Sequence, residues 1–149
     1  PKKHCTCSDY QIKRYRSRLS GPLLDRIDLQ IEVARLSEDE LLNIKEDAED
    51  SKTVRQRVVR ARSIQLERYK KEGILTNSEL NAKLVKKYCK TDEASENMLR
   101  FAISKFDLSA RAYERILKIS RTIADLDESE NITSSHIARA LQFRGITPV

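Results

Sequence analysis

Arg111 is placed where a fixed backbone would present a positive charge to a ligand. Ser109 has the residue type of a helix N-cap, so Arg111 would lie in the first turn of a helix. A cation there opposes the helix dipole and lowers stability by roughly a few tenths of a kcal/mol. The free N–H groups of a helix N-terminus and a guanidinium together suit a phosphate-binding site. The alternative is that Arg111 pairs with nearby Asp107.

Arg26 occupies a comparable position near the start of the chain. Pro22 suits the first position of a short helix, because its φ is fixed and its missing N–H would be unbonded there. Three apolar neighbours fall on one face of this helix and are predicted to be buried: Leu23, Leu24 and Ile27. Arg26 would then point outward. The alternative is an ion pair between Arg26 and either Asp25 or Asp28.

Other catalytic patterns are absent from the sequence. It contains no Gly-x-x-x-x-Gly-Lys-Ser/Thr phosphate loop, no Gly-x-Gly-x-x-Gly fingerprint and no His-Glu-x-x-His motif. Its two histidines, His4 and His136, are far apart in the sequence and build no triad. On its own residues, this chain is therefore predicted not to be a catalyst.

The cysteines amount to half of a metal site. Cys5 and Cys7 form a Cys-x-Cys pair, whereas Cys89 stands alone in a helical stretch and is predicted to be an inert, buried thiol. Three cysteines are an odd number, and no secretory leader is evident, which argues against a disulfide framework. Because zinc usually takes four ligands, we expect Cys5 and Cys7 to be unliganded in this chain.

Charge is arranged in two successive blocks within a chain of 149 residues and net charge +6. Between positions 37 and 50, seven acidic residues face a single lysine. Residues 51–71 then hold eight basic residues against one acid, and four of them are candidates for contact with nucleic acid: Arg55, Arg57, Arg60 and Arg62. The two blocks could equally pair with each other or with a neighbouring subunit.

Composition indicates a helix-rich protein. Charged residues make up 35% and aromatic residues 5%, there is no Trp, and three glycines leave few turns for a sheet. No apolar run approaches the roughly 18 residues of a membrane span, and no charged-then-apolar leader opens the chain. We therefore expect no membrane partner and a cytoplasmic location.

Strict alternation of polar and apolar residues predicts one strand with a buried face at 28–33, after a helix from Ser8 to Leu19. One strand cannot form a stable sheet by itself. Residues 1–36 are therefore predicted to be the remnant of a larger α/β domain, followed by an acidic connector at 37–50.

Residues 51–149 are predicted to form a bundle of four or five helices. The sequence predicts helices at 51–72, 78–89, 92–106, after Ser109 to Leu126, and 133–144. The expected apolar stripe of the first helix is Val54, Val58, Ala61 and Ile64. In the third helix, five residues are spaced by three or four: Ala94, Met98, Phe101, Ala102 and Lys105. The apolar repeat of the fourth helix is Ala112, Ile116, Ile119, Ile123 and Leu126, and Ile137, Ala140 and Leu141 are expected to face inward in the last. The fourth helix has the clearest core face.

Two stretches of the chain resemble AAA+ ATPases of the magnesium-chelatase-like ComM/YifB subfamily. The first is Cys5-Thr-Cys-Ser followed by 12–29, which contains Gly-Pro-Leu-Leu-Asp-Arg. The second is 108–126, which contains Ser-Ala-Arg-Ala and resembles their lid helix, while 137–144 is similar to their closing helix. The resemblance implies a mainly α fold, in which the C-terminal lid bundle follows an N-terminal remnant, helices plus one strand, of the α/β ATPase core.

The resemblance also implies roles for the two arginines. Arg26 matches the arginine finger, which acts in trans on the nucleotide of a neighbouring subunit, and Arg111 matches the second sensor arginine, which acts in cis or in trans. Both would stabilise charge on the transferred phosphoryl group. ATP and Mg²⁺ are implied for the complete protein, as is Zn²⁺ in a four-cysteine cluster that includes Cys5 and Cys7. No cofactor is expected in this chain.

The implied function is that of a motor. The complete protein resembles a homo-oligomeric, hexameric ring ATPase that remodels DNA, as in branch migration during natural transformation. One alternative is a magnesium-chelatase-type motor that remodels a protein partner. Another is a stand-alone basic helical bundle that binds nucleic acid without any ATPase. In the first two cases the complete protein is an enzyme and this chain alone is not.

Overall fold

Two short helices precede a larger helical domain in the computed structural model, which describes residues 6–24, 26–34, 36–37, 42 and 49–144. The N-terminal segment, residues 6–37, contains α1 (Asp9–Arg16) and α2 (Gly21–Leu24). The helical domain, residues 51–144, contains α3 (Ser51–Tyr69), a 3₁₀ turn (Asn77–Glu79), α4 (Ala82–Tyr88), α5 (Glu93–Phe106), α6 (Ala110–Leu126) and α7 (Ser134–Gln142). The prediction of a mainly α fold is confirmed for the described residues.

Helix α6 lies at the centre of the helical domain. It packs against α3, α4, α7 and the 3₁₀ turn. Ala112, Ile116 and Ile123 are buried along the predicted stripe, and Ile119 is partly buried against the same core. The predicted inward residues of α7 are also buried: Ile137, Ala140 and Leu141. The core face of α6 therefore follows its sequence repeat.

A buried polar cluster fastens the end of α3 to α6. The two oxygens of Asp125 accept from the guanidinium of Arg68 at 3.0 and 2.5 Å, and Oδ1 also accepts from Arg121 Nε at 3.1 Å. Asn77 donates to Asp125 Oδ2 at 2.9 Å and accepts from the Tyr69 hydroxyl at 2.5 Å. Because Asp125 and Arg121 are buried, these bonds replace the water that both charges lost on folding.

The first half of α3 extends beyond the core. Residues 51–60, which we call the α3 extension, are all exposed, and burial begins at Ala61. The predicted apolar stripe of this helix is therefore buried only from Ala61 onward, and Val54 and Val58 are exposed. Neither α3 nor any other helix in the described ranges is long and apolar enough to cross a membrane.

The strand predicted at 28–33 is not formed. Residues 28–33 belong to no β-ladder, and Ile31 and Val33 are 68% and 87% exposed rather than buried. A backbone hydrogen bond does form from Gln30 N–H to Phe143 O, at 2.6 Å. The alternating pattern needs a neighbouring strand, and the described residues supply none.

The predicted helix at 78–89 is interrupted. Asn81 caps a new helix, because its side-chain oxygen accepts from the Leu84 N–H at 3.0 Å. The chain before it forms the 3₁₀ turn instead, and buried Leu80 joins the two elements. A polar cap residue inside an apolar pattern therefore divided the helix.

Two of the other predicted helices differ in detail. Helix α1 begins as expected, with a capping box between Ser8 and Gln11, but ends at Arg16 instead of Leu19. In α5 the buried residues are Ser95, Leu99 and Ala102, whereas Phe101, Ala94 and Lys105 are exposed. The inward face of α5 is rotated from the predicted stripe because it packs against α7.

Candidate functional site

The start of α6 holds Arg111 on a rigid base. Ser109 caps the helix, and its hydroxyl accepts from the Ala112 N–H at 3.1 Å. Ala112 is buried in the core, while Arg111, the preceding residue, is exposed. The backbone at Arg111 is thus fixed by a cap and a buried neighbour, and its guanidinium remains accessible.

Arg111 is not paired with Asp107. Asp107 ends α5 in a left-handed conformation, with φ 48°, and its N–H bonds to Ile103 O. Within the described residues, no ion pair or side-chain hydrogen bond involves Arg111. The alternative reading of Arg111 as half of a local ion pair is therefore not seen.

The turn after α2 positions Arg26. Ser20 accepts from the Leu23 N–H through its carbonyl at 3.0 Å and its hydroxyl at 3.3 Å, which starts the short helix. The Arg26 N–H then donates to Leu23 O at 3.0 Å and closes the turn. Arg26 is exposed, as predicted.

The surroundings of Arg26 differ from those that were expected. Leu23 and Ile27 are exposed rather than buried, and the side chain of Leu24, the third residue predicted to be buried, lies outside the described ones. The predicted alternative partner Asp28 instead pairs with Arg115, and Asp25 lies outside the described residues. In the described part of the chain, the Arg26 guanidinium has no acidic partner.

Arg115 brings the two predicted arginines to one side of the molecule. Its Nη1 donates to the carbonyl oxygen of Arg26 at 2.7 Å and forms an ion pair with Asp28. Arg111 lies four residues before Arg115, so both share one face of α6. The segment that carries Arg26 therefore contacts α6 at Arg115, about one helical turn away from Arg111.

Sequence reasoning missed Arg115. The available signal was weak: Arg115 follows Arg111 at helical spacing, and Asp28 opens the predicted strand. Arg115 and Asp28 are 87 positions apart, so no local pattern links them.

A second arginine contacts the same segment, since Arg144 Nη1 donates to Ile27 O at 3.4 Å. A cavity of about 410 Å³ lies between Asp28 and α6, next to these contacts.

The four arginines of the basic stretch do not form one patch. A helix turns about 100° per residue, which places Arg55 and Arg62 on one flank of the exposed apolar face of α3 and Arg57 and Arg60 on the other. Three of them contact other parts of the chain: Arg57 bonds Glu49 at 2.6 Å, Arg60 pairs with Glu128 at 3.3 Å, and Arg62 donates to Leu75 O at 3.3 Å. Such exposed contacts are weak, so these arginines remain open to a partner.

The predicted half metal site lies mostly outside the described residues. Cys7 is exposed, and Cys5 and His4 lie outside the described residues. Among the residues that are described, no group of three or more His, Cys, Asp or Glu side chains could hold a metal ion. Zinc therefore stays a prediction for the complete protein. Cys89 is buried, as predicted, and burial raises the pKa of its thiol to about 11, which disfavours the reactive thiolate.

His136 serves the start of α7. Its Nδ1 accepts from the Thr133 N–H at 3.0 Å in a capping box, and its Nε2 lies 3.5 Å from Asp127. Burial lowers the pKa of His136, so the neutral ring is favoured. His136 therefore has a structural role in capping α7. Because Nδ1 accepts a hydrogen bond, the neutral ring carries its proton on Nε2.

Comparison with known proteins matches both parts of the chain to one family. The family described as magnesium chelatase, subunit ChlI C-terminal, matches residues 48–144, and that described as magnesium chelatase, subunit ChlI, matches residues 1–41. Similar relatives include the competence protein ComM of Haemophilus influenzae, at 45% identity, and the uncharacterized proteins YifB of Escherichia coli and Salmonella typhimurium, at 38% and 36%.

Each of these matches covers 96% of this chain but only 27 or 28% of the relative. The chain thus spans about a quarter of the length of the relatives it matches. One family accounts for both the N-terminal segment and the helical domain. The chain belongs to the magnesium chelatase ChlI family, among its ComM/YifB-type proteins.

Proposed function

We propose that this chain is the nucleotide-sensing part of an AAA+ ring ATPase. Arg26 is its arginine finger, and Arg111 is the second sensor arginine of its lid, which is the helical domain. The observation that carries the proposal is the placement of two exposed arginines, each on a fixed backbone, on one side of the molecule.

The chemistry of both positions suits a triphosphate. Guanidinium groups form paired hydrogen bonds with phosphate oxygens and keep their charge at any physiological pH. Arg111 stands at the start of α6, where the helix dipole also attracts anions. During phosphoryl transfer the two groups would stabilise charge on the moving phosphoryl oxygens. Mg²⁺, held elsewhere in the complete protein, would neutralise part of the same charge.

The chain by itself should neither bind ATP tightly nor hydrolyse it. Its sequence has no phosphate loop to hold the nucleotide and the metal ion. We expect purified chain to show no ATP turnover above background in a phosphate-release assay. Turnover by the purified chain would contradict the proposal.

The complete protein tests the finger directly. Arg26→Ala should abolish ATP turnover, because the finger stabilises the transition state, and should leave binding of a fluorescent ATP analogue unchanged. Arg111→Ala should also lower turnover. The matched control is Arg100→Ala, which removes one exposed arginine from α5 and should change neither property. Unchanged turnover in Arg26→Ala would remove the finger assignment.

We further propose that the ring, expected to be a hexamer, remodels DNA through the α3 extension. The supporting observation is that residues 51–60 are exposed throughout and carry Arg55 with its neighbour Lys52 on an open face. The similarity to a protein named for competence is in keeping with a DNA substrate. A protein partner, as for a chelatase-type motor, is the alternative.

Salt dependence separates the two substrates. Replacing both Arg55 and Arg62 by Gln should weaken DNA binding by the complete protein and reduce the salt slope of log K by roughly 2. Lys83 and Lys86 on α4 are also exposed, and their replacement by Gln is the charge-matched control. Binding that is insensitive to salt and to the arginines would favour a protein partner. A stand-alone basic bundle would bind DNA without any effect of nucleotide.

A further inference from the structure

We propose that Arg115 is a positioning residue for the arginine finger: it fastens the turn that carries Arg26 to α6. This inference rests on the proposed function of Arg26. It assigns a role to a residue that touches no nucleotide in the proposed mechanism and acts through the backbone of another residue.

The contacts of Arg115 are directed at the finger residue itself. Nη1 donates to the carbonyl oxygen of Arg26 at 2.7 Å, and the same group forms the ion pair with Asp28. The side chain of Arg115 is 27% exposed, so most of it is shielded from solvent. The Arg115 guanidinium thus binds both the main chain of Arg26 and the side chain of Asp28, two residues later.

Few other contacts among the described residues hold this turn in place. Of the apolar side chains near Arg26 that the structure describes, Leu23 and Ile27 are 42% and 39% exposed, so neither is buried in a core. Two additional hydrogen bonds lie nearby: Arg144 Nη1 donates to Ile27 O at 3.4 Å, one residue after the finger, and Gln30 N–H donates to Phe143 O, four residues after it. Arg115 is therefore the described side chain that holds the finger residue directly.

A catalytic guanidinium must be placed within about half an ångström of its working position. Loosening its backbone should lower the rate of the chemical step without removing any contact to ATP. The ion pair with Asp28 is partly exposed and adds little to folding stability. A defect in kcat that is not matched by a defect in folding is thus the signature of positioning.

The test uses ATP turnover by the complete protein. Arg115→Gln should lower kcat by roughly 10- to 100-fold, while KM for ATP and binding of a fluorescent ATP analogue stay within about twofold. Arg115→Lys keeps a charged donor and should recover part of the rate. The control is Lys118→Gln, which removes one charge from the next stretch of α6, where Lys118 donates to Ser78 O at 3.1 Å.

A double variant shows whether Arg115 acts through Arg26. Arg26→Lys combined with Arg115→Gln should be no slower than Arg26→Lys alone, because a lysine keeps the charge but has no guanidinium left to position. Additive losses would overturn the proposal. Amide hydrogen exchange in this 149-residue chain gives a second readout: residues 26–30 should exchange faster in Arg115→Gln and not in Lys118→Gln.

The outcomes separate this proposal from the one on which it depends. If Arg26→Ala retains full turnover, the finger assignment fails whatever Arg115 does. If Arg26→Ala abolishes turnover and Arg115→Gln has a normal kcat, the positioning role is overturned and the finger stands. Equal losses of nucleotide binding and turnover in Arg115→Gln would also overturn it, since they indicate general damage.

Discussion

The helical domain and the N-terminal segment are built in opposite ways. In the helical domain, apolar side chains such as Ile116 and Ile137 are fully buried, and a buried polar cluster joins α3 to α6. In the N-terminal segment, Ile31 and Val33 face solvent, and the contacts described above to the helical domain are hydrogen bonds and the ion pair between Asp28 and Arg115. The difference shows that the helical domain supplies its own core, whereas the N-terminal segment has apolar surface left to be covered.

The contrast agrees with the length of the relatives, which are almost four times as long as their match to this chain. In the proposed ATPase, the core domain would cover the apolar side chains of residues 28–33. The polar ties through Arg115 would then connect that domain to the lid.

The largest effect is expected at the centre of the polar cluster. Asp125→Ala leaves buried Arg121 without its carboxylate, which should lower the free energy of unfolding by about 3–5 kcal/mol. Urea denaturation followed by circular dichroism measures it. Asp28→Ala breaks the exposed pair in the N-terminal segment and should cost at most about 1 kcal/mol. Similar losses in both variants would remove the distinction between the regions.

A pair of isoleucines tests apolar packing. Ile116→Ala creates a cavity in the core and should cost about 2–5 kcal/mol in the same urea experiment. Ile31→Ala makes an identical chemical change at an exposed position and should stay within about 0.5 kcal/mol of the unmodified chain. A large loss at Ile31 would mean that the N-terminal segment contributes to the core.

A pair of helix caps gives a smaller effect. Ser109→Ala removes the cap of α6 and should lower the free energy of unfolding by about 1 kcal/mol. Ser8→Ala removes the cap of α1, a helix without buried residues, and should leave the unfolding midpoint of the helical domain unchanged. A midpoint that shifts equally in both would show that α1 unfolds together with the domain.

The smallest effect is a pH dependence from His136. Its pKa is lowered in the folded chain, whereas in the unfolded chain it is about 6.5. The stability that neutral His136 provides is therefore complete above about pH 6.5 and is lost as the pH falls toward the folded pKa. Thermal melts between pH 7.5 and 5.5 should show this decline. His136→Gln keeps an acceptor at the cap position and should flatten the profile; an unchanged profile would exclude His136 as its source.

Sequence patterns predicted the helical domain well where the partner of each residue lies nearby in the chain. The repeat from Ala112 to Ile123 and the caps at Ser8 and Ser109 are set by contacts within a few turns. The exposed position of Arg111 also followed from local geometry, whereas Arg26 is exposed although the burial of Leu23 and Ile27, on which that prediction rested, is not seen. Their roles in phosphoryl transfer stay predictions.

The remaining features depend on distant partners. The pattern at 28–33 describes a strand whose neighbours are not among the described residues, so it forms no ladder here. The bond between Arg115 and Arg26 joins residues 89 positions apart, and no periodicity announces it. In α5, the face with Leu99 and Ala102 packs against α7 and is buried, whereas the face with Phe101 is exposed.

The α3 extension has a mechanical consequence. Ten exposed residues of a continuous helix reach about 15 Å beyond the point where burial begins at Ala61. The C-terminal end of the same helix is bonded to Asp125 of α6 through Arg68. The exposed and buried halves of α3 should therefore move as one rigid unit. A small rotation at the buried end of α3 would move its charged N-terminal end through a larger distance. Fluorescent dyes attached at Gln56 and in the core would therefore report motions that are too small to detect at other positions.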